Sequence, residues 1–280
     1  MTHPTSSSAL DKESYDFLRD YIHRESGIRL DDDKHYLLEA RLMPLVEESH
    51  FPSLLALCQA LKRHDPALRK SVVEAMTTHE TLFFRDGSPF EAMKKELLPK
   101  ILEDCKTSRS IRIWCAAASS GQEPYSLAML LLESGFSGWN IEILGTDLSE
   151  QILKRAKEGR YMQLEVNRGL PAQYLVKYFE REGLEWRIKD NIRRMVRFEQ
   201  TDLRQASRRS GFHFIFCRNV LIYFDNPTKK KILESLRHSL LPGGYLALGS
   251  AESTLGLDDV YQRVAIGNAR FYQAPSLEKS

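Results

Sequence analysis

Several short stretches of the chain set polar or charged residues where chemistry is to be expected. The string Thr77-Thr78-His79-Glu80-Thr81-Leu82-Phe83-Phe84-Arg85-Asp86 places two aromatic rings beside a guanidinium. It reads either as a clamp aiming Arg85 into a cleft or as a linker anchored by its rings. Downstream, Trp114 to Pro124 runs through Ala116-Ala117-Ala118-Ser119-Ser120-Gly121-Gln122-Glu123. Small residues let backbone approach a ligand closely, and Pro124 at a helix start leaves N–H groups free. The turn is neither GxGxxG nor a P-loop, so neither dinucleotide hydride transfer nor P-loop phosphate chemistry is indicated.

Asp147, in Gly145-Thr146-Asp147, follows Gly121 by 26 residues. Its carboxylate can accept both ribose hydroxyls of a nucleoside ligand, or cap a helix beginning near Ser149. The pairing with the first turn favours the nucleoside. Asp202 offers an acceptor for an adenine amino group, with Leu203 beside the ring. Arg218 and Asn219 directly follow an apolar run, where burial is costly unless they are paired, which points to a cleft or an internal ion pair. Tyr223 reads equally as a core aromatic and as a site phenol. Cys58, Cys105, Cys115 and Cys217 are scattered, with no CxxC pair or adjacent His, so buried free thiols and no metal are expected.

These residues need elements to hold them. From Lys12 to about Met76 the spacing is helical: Tyr15, Leu18, Ile22, then Tyr36, Leu37, Ala40, Leu42, then Leu54, Leu57, Leu61. Gly27 ends one helix, carboxylates at 31–33 cap the next, and Pro52 and Pro66 open further helices. After about residue 108 come IRIWCAA (111–117), IEILGTD (141–147), VRFEQTD (196–202), FHFIFCRN (212–219) and YLALGS (245–250), with helical segments at 124–132, 149–157 and 227–241. Alternating strands and helices predict a doubly wound parallel α/β sheet, with ligands beyond the strands' carboxyl ends. Residues 260–274 read as a hairpin turning at Gly267-Asn268. Residues 160–199 are long for a crossover and alternate enough for a small antiparallel insert. The expected organisation is a disordered lead-in over 1–11, an all-helical domain over 12–76, a linker and site motif over 77–90, and an α/β domain over 91–276.

Composition agrees with a folded chain: 280 residues, 42% hydrophobic, 40 Lys+Arg against 38 Asp+Glu. The opening residues lack a secretory signal pattern and no apolar run spans a bilayer, which predicts a cytoplasmic protein without membrane insertion. The near-neutral charge hides a split. Residues 1–90 carry 11 basic and 15 acidic side chains, net −4, and residues 91–280 carry 29 and 23, net +6.

Four strings, TTHETLFFRDGSPF (77–90), AAASSGQEPYSLAM (116–129), GTDLS (145–149) and FCRNVLIYF (216–224), occur in order at suitable spacing. On them the chain resembles the bacterial chemotaxis-receptor glutamate O-methyltransferases, the CheR-like family, over nearly all of residues 13–275. The resemblance implies a Rossmann-like, S-adenosylmethionine-dependent methyltransferase domain: a mostly parallel seven-stranded sheet with a C-terminal hairpin, preceded by a small all-α domain. It implies contacts to S-adenosyl-L-methionine, and to its product S-adenosyl-L-homocysteine, from His79, Thr81, Arg85, Glu123, Asp147, Asp202, Leu203, Arg218 and Asn219, with Arg85 and Tyr223 beside the transferred methyl. His79 and Asp202 stand where Asn is usual. The implied substrates are glutamates of methyl-accepting chemoreceptor cytoplasmic domains, met at receptor arrays on the inner membrane face. The loop at 179–185 is shorter than in members that hold a receptor C-terminal pentapeptide, which implies direct recognition of the methylation helices, with Arg193 and Arg194 as contacts.

Methyl transfer to a carboxylate already ionised at pH 7 needs no general base, in keeping with a chain that offers no Ser-His-Asp or Cys-His constellation. A nucleic-acid methyltransferase would share the fold, and Arg193, Arg194, Arg197, Arg204, Arg208 and Arg209 could meet phosphates. The Asn/Asp-Pro-Pro-aromatic tetrapeptide common in amino-group methylases is replaced here by RNVLIYF, so no nucleic-acid partner is expected. A non-catalytic module that binds S-adenosylmethionine is the other alternative, and the presence of both Arg85 and Tyr223 argues against it.

Overall fold

The computed structural model describes residues 10–31, 34–63, 65–205 and 209–276. The lead-in expected over 1–11 lies outside the described residues except for Leu10 and Asp11. Asp11 is structured, capping the first helix by accepting from the Ser14 N–H at 2.8 Å. By its contacts the chain forms two compact units: the described residues up to Thr78 together with Tyr223–Asp225, and His79–Ile222 together with Asn226 onward.

The first unit is built on α1 (Lys12–Ser26), α2 (His35–Glu48), α3 (Leu54–Lys62) and α4 (Pro66–Met76). Gly27 ends α1 in the left-handed conformation at φ 76°. Lys34 precedes α2 and supplies no side-chain cap, and of the carboxylates expected there Asp32 and Asp33 lie outside the described residues. Ser53 caps α3, so Pro52 stands just outside that helix rather than in its first turn, whereas Pro66 does open α4. The buried stripe of α2 is Leu38, Leu42 and Val46, at strict four-residue spacing. Tyr36, expected inward, is 63% exposed: the apolar residues of α2 cover more than one face, and packing on α4 and α3 selects the Leu38 stripe. Tyr15, Leu18, Ile22, Leu54, Leu57 and Leu61 are buried as their spacing predicts.

In the second unit, helix begins at Ser88, inside the stretch expected as linker, because Pro89 suits a first turn and Phe90, Met93 and Leu97 bury on the sheet's core. It runs as α5 (Ser88–Ala92), a π-helical turn over Met93–Leu97, and α6 (Leu98–Asp104). Then follow β1 (Ser110–Cys115), α7 (Gln122–Glu133), β2 (Asn140–Asp147), α8 (Glu150–Glu158), β3 (Arg160–Met162), α9 (Gln163–Val166), α10 (Ala172–Tyr178), β4 (Phe179–Glu182), β5 (Glu185–Ile188), α11 (Asp190–Arg193), β6 (Val196–Gln200), β7 (Phe212–Cys217), α12 (Asn226–Ser239), β8 (Leu240–Leu248), β9 (Gln262–Ile266) and β10 (Ala269–Gln273).

Seven strands form one sheet in the order β6-β2-β1-β7-β8-β10-β9. The pairs from β6 through β8 are parallel, and β10 runs antiparallel to both β8 and β9. Ile111, Ile113, Trp114 and Cys115 of β1 are fully buried, as a central parallel strand covered on both faces requires. Strand order reverses around β1, whose neighbours β2 and β7 lie on opposite sides, so the crevice beyond its carboxyl end is the predicted ligand position. The expected insert is a separate antiparallel sheet, β3-β5-β4, whose β4–β5 hairpin turns on Gly183-Leu184 alone. No described helix is long and apolar enough to cross a membrane.

Candidate active site

The turn after β1 is built for close approach. Gly121 sits at φ 93°, and a side chain there would meet Ala156, Tyr125 and Tyr161 at 3.1–3.2 Å, so glycine alone fits both the dihedral and the space. Ser119 is also left-handed, at φ 49°. Its N–H donates to Asp147 Oδ2 at 2.9 Å, and its hydroxyl donates to the His79 carbonyl at 2.9 Å. Tyr161 Oη donates to the Ser120 carbonyl at 2.8 Å, so the insert supports the turn from below.

Asp147 therefore lies against the β1 turn at the end of β2. Capping of α8 falls to Ser149, whose Oγ accepts from the Ile152 N–H at 3.1 Å. Asp147 Oδ1 accepts from the Ser149 N–H at 3.1 Å, leaving the carboxylate half-buried at the mouth of the turn.

The end of β7 carries a buried ion cluster. The Arg218 side chain is 2% exposed; it donates to Glu123 Oε2 at 2.9 Å, to Asp86 Oδ2 at 2.5 Å and to the Arg85 carbonyl at 3.0 Å. Its Nε and the Asn219 Oδ1 are buried without a partner in the structure. Burial pushes the Glu123 carboxyl up and Arg218 opposes this, while burial and then Glu123 raise the Cys115 thiol. The folded-state pKa of Glu123 thus exceeds the unfolded one, so keeping this carboxyl ionised costs stability as pH rises from the unfolded value through the folded one, and that cost is relieved as the carboxyl takes up its proton in acid. A 13C titration of the Glu123 carboxyl is expected above the ordinary glutamate range; a value below it would mean that Arg218 outweighs burial. Glu142 behaves oppositely: its hydrogen bond from Arg112 lowers it, so that stabilisation is present at neutral pH and lost only in stronger acid.

The Arg85 segment is pinned rather than loose. Phe83 packs edge-on against Tyr161 and Phe179, with centroids at 5.0 and 5.6 Å, and Phe84 against Phe90 and Tyr174 at 5.1 and 5.5 Å. The two rings anchor the segment in the α/β unit. Phe84, Asp86 and Gly87 are left-handed, at φ 49°, 67° and 60°, a costly run that Arg218 holds from beneath. The Arg85 guanidinium donates to the Glu80 carbonyl at 3.0 Å and is half-buried. Thr81 and His79 are half-buried in the same stretch.

Asp202 and Tyr223 both have partners within the chain. Asp202 is engaged by Arg204, whose Nη2 reaches Oδ2 at 2.7 Å while its backbone N–H reaches Oδ1 at 2.9 Å, so the carboxylate is directed at its own turn. Leu203 beside it is buried. Tyr223 groups by contacts with the helical unit, its carbonyl accepting from the Arg29 N–H at 2.8 Å. Arg193 is occupied, donating to Asp190 Oδ1 at 2.9 Å and the Lys157 carbonyl at 3.2 Å, whereas Arg194 is exposed. The two lie on a shallow cavity with Lys157, Asp190 and Arg197. Of the other arginines, Arg197 and Arg209 pair with Glu199, and Arg208 lies outside the described residues. Cys58, Cys115 and Cys217 are buried; Cys105 is half-buried, its Sγ 3.7 Å from His213 Nε2. Among the described residues no group of three or more His, Cys, Asp or Glu is placed to hold a metal.

Sequence reasoning missed Asp86 and Glu252. Asp86 stood inside a noted motif and was passed over. Glu252 had no motif to announce it and is recognised only by the backbone groups that converge on it.

The site fits an adenosyl-amino-acid ligand. A carboxylate lies beside a glycine turn at the reversal of strand order, and a buried amide oxygen on the neighbouring strand end lacks a donor. The family description "CheR methyltransferase, SAM binding domain" matches residues 79–269, and "CheR methyltransferase, all-alpha domain" matches residues 13–77. Chemotaxis protein methyltransferase 1 of Pseudomonas aeruginosa is 40% identical over 93% of this chain and 97% of its own. The chemotaxis protein methyltransferase of Vibrio parahaemolyticus and chemotaxis protein methyltransferase 1 of Vibrio cholerae are each 40% identical over 96% of this chain and 99% of their own. The chain belongs to the CheR methyltransferase family.

Proposed function

We propose that this methyltransferase esterifies glutamate side chains on the cytoplasmic helices of chemoreceptors, working in the cytoplasm at receptor arrays. The observation that carries the site assignment is the Asp147–Ser119–Gly121 turn at the sheet's reversal point, joined to the Arg218–Glu123–Asp86 cluster that holds the Arg85 loop. S-Adenosylmethionine, when bound, supplies a methyl group on a sulfonium. Transfer of that methyl to an ionised glutamate oxygen would leave a thioether and a methyl ester and would require no proton transfer from the chain.

The chain's residues bind and orient. Asp147 would take the ribose hydroxyls, Leu203 would flank the adenine, and Asn219 Oδ1 would accept from a polar hydrogen of the ligand. His79 and Thr81 line the same pocket. Glu123 and Arg218 act chiefly by holding the 84–87 loop. Arg85 leaves the Glu80 carbonyl to pair with a carboxylate, a stronger charge-assisted partner, and Tyr223 donates to the reacting oxygen. Excluding water from the glutamate favours a reaction that disperses charge.

Incubation with methyl-labelled cofactor and receptor cytoplasmic fragments is expected to yield label released as methanol in mild alkali. Alkali-stable label, or label on nucleic acid instead, would overturn the reading. Arg194 supplies the available charge toward acidic receptor helices. Arg194→Glu is expected to raise the receptor KM severalfold and leave cofactor affinity unchanged; an unaltered KM would remove Arg194 from the interface. Arg193→Glu is the poorer probe, because it also breaks the Asp190 and Lys157 contacts. The two-residue turn at Gly183-Leu184 supports recognition without a receptor C-terminal pentapeptide.

A further inference from the structure

Glu252 lies four residues past the end of β8 and is 6% exposed. Its carboxylate collects five backbone N–H groups. Oε2 accepts from Asn219 at 2.8 Å and Gly249 at 2.7 Å, and Oε1 from Val220 at 2.9 Å, Leu221 at 2.7 Å and Ile222 at 3.3 Å. Four of these donors are consecutive, in a segment that starts with Asn219 left-handed at φ 57°. The segment leads into a short 3-10 turn beginning at Leu221, whose leading N–H groups have no partner inside the turn, and the carboxylate takes them up, three on Oε1 and that of Asn219 on Oε2.

Gly249 completes the arrangement. A Cβ there would stand 2.7 Å from Glu252 Oε2, 2.8 Å from Asn219 Nδ2 and 2.9 Å from the Asn219 nitrogen. Only a residue without a side chain lets the β7 end and the β8 end approach this closely.

We infer that Glu252, with Gly249, is a carboxylate latch that sets the conformation of residues 218–222 and thereby positions Asn219 for cofactor binding and Arg218 for holding the 84–87 loop. The inference rests on the reading of Asn219 as a cofactor contact and of Arg218 as the anchor of the 84–87 loop. Glu252 itself is a positioning residue, since its oxygens are filled by backbone donors. A glutamine is nearly isosteric but uncharged. Whichever way its amide is turned, an NH2 faces at least two backbone N–H groups, leaving buried donors unpaired.

The test compares Glu252→Gln and Gly249→Ala in the full chain with Ile266→Ala, which removes a buried side chain from edge strand β9. Melting temperature, calorimetric affinity for S-adenosylhomocysteine, and kcat and KM on receptor fragments are measured where all the variants are folded. Glu252→Gln is expected to lower kcat about 100-fold and weaken S-adenosylhomocysteine about 10-fold, the scale of a misplacement near 1 Å, with the receptor KM unchanged. Ile266→Ala should lose melting temperature while keeping both values. Gly249→Ala should follow Glu252→Gln, and it carries the test if the glutamine variant does not fold. If both latch variants retain the kcat and affinity of Ile266→Ala, the latch is overturned while the cofactor site stands. If the wild-type chain fails to bind S-adenosylhomocysteine, the site reading itself fails and takes the latch with it.

Discussion

Replacing Arg85 by alanine is expected to reduce methyl transfer by at least about 1,000-fold, the scale set by removing a charged group from a preorganised site. The loop backbone is held independently of the Arg85 side chain: Phe83 and Phe84 are packed in aromatic clusters, and the Arg85 carbonyl receives Arg218. The alanine variant should therefore fold and keep most of its affinity for S-adenosylhomocysteine, with the loss confined to kcat. Tyr223→Phe should show a smaller loss, about 10- to 100-fold, because one neutral hydrogen bond is removed. Calorimetry and single-turnover kinetics on both variants decide the matter. Normal turnover by both would remove these residues from the reaction, and a lost affinity with intact kcat would move Arg85 from substrate to cofactor.

The largest expected loss of stability comes from Arg218→Ala. The substitution strands the Glu123 carboxyl in the core and frees Asp86, undoing the anchor of a loop with three left-handed residues. Removing one partner of a buried pair costs roughly 3–5 kcal/mol, mainly because the remaining charge is left uncompensated. Thermal unfolding should register a drop of about 10 °C for a unit of this size. Pairing Arg218→Met with Glu123→Gln should recover much of that stability, since no buried charge remains, yet leave the enzyme inactive because Asp86 and the Arg85 carbonyl still lack their donor. Recovery of activity in the double variant would show that the cluster serves the fold alone. If Arg218→Ala melted like wild type, Glu123 would have taken up a proton at no net cost, and the pair would contribute nothing to stability.

Much of this molecule was legible in local sequence. Strand runs leading into turns that carry Gly121, Asp147, Asp202 and Asn219 predicted a ligand position beyond the carboxyl ends of a parallel sheet, because strand period and turn chemistry are short-range properties. The insert and the terminal hairpin were legible for the same reason. The phase of α2 was not: Tyr36 and Leu38 are both apolar enough to face inward, and the neighbouring helices chose between them. Asp202 was legible as a polar residue at a strand end, but its capture by Arg204 depends on a turn that brings the two side chains together.

The sequence by itself therefore determined the two units, the alternation that builds the sheet, and the residue types collected at its reversal point. Tertiary structure alone decided which of those residues are available. Arg218 is consumed by Glu123 and Asp86, Arg193 by Asp190, and Arg194 stands exposed, although all three read alike as arginines. Glu252 is the sharpest case, a single acidic residue with no motif of its own. Its role exists only because Asn219 and Glu252, 33 residues apart, meet beyond two strand ends where Gly249 leaves room, and a buried carboxylate in that gap has nowhere to turn but the backbone N–H groups around it.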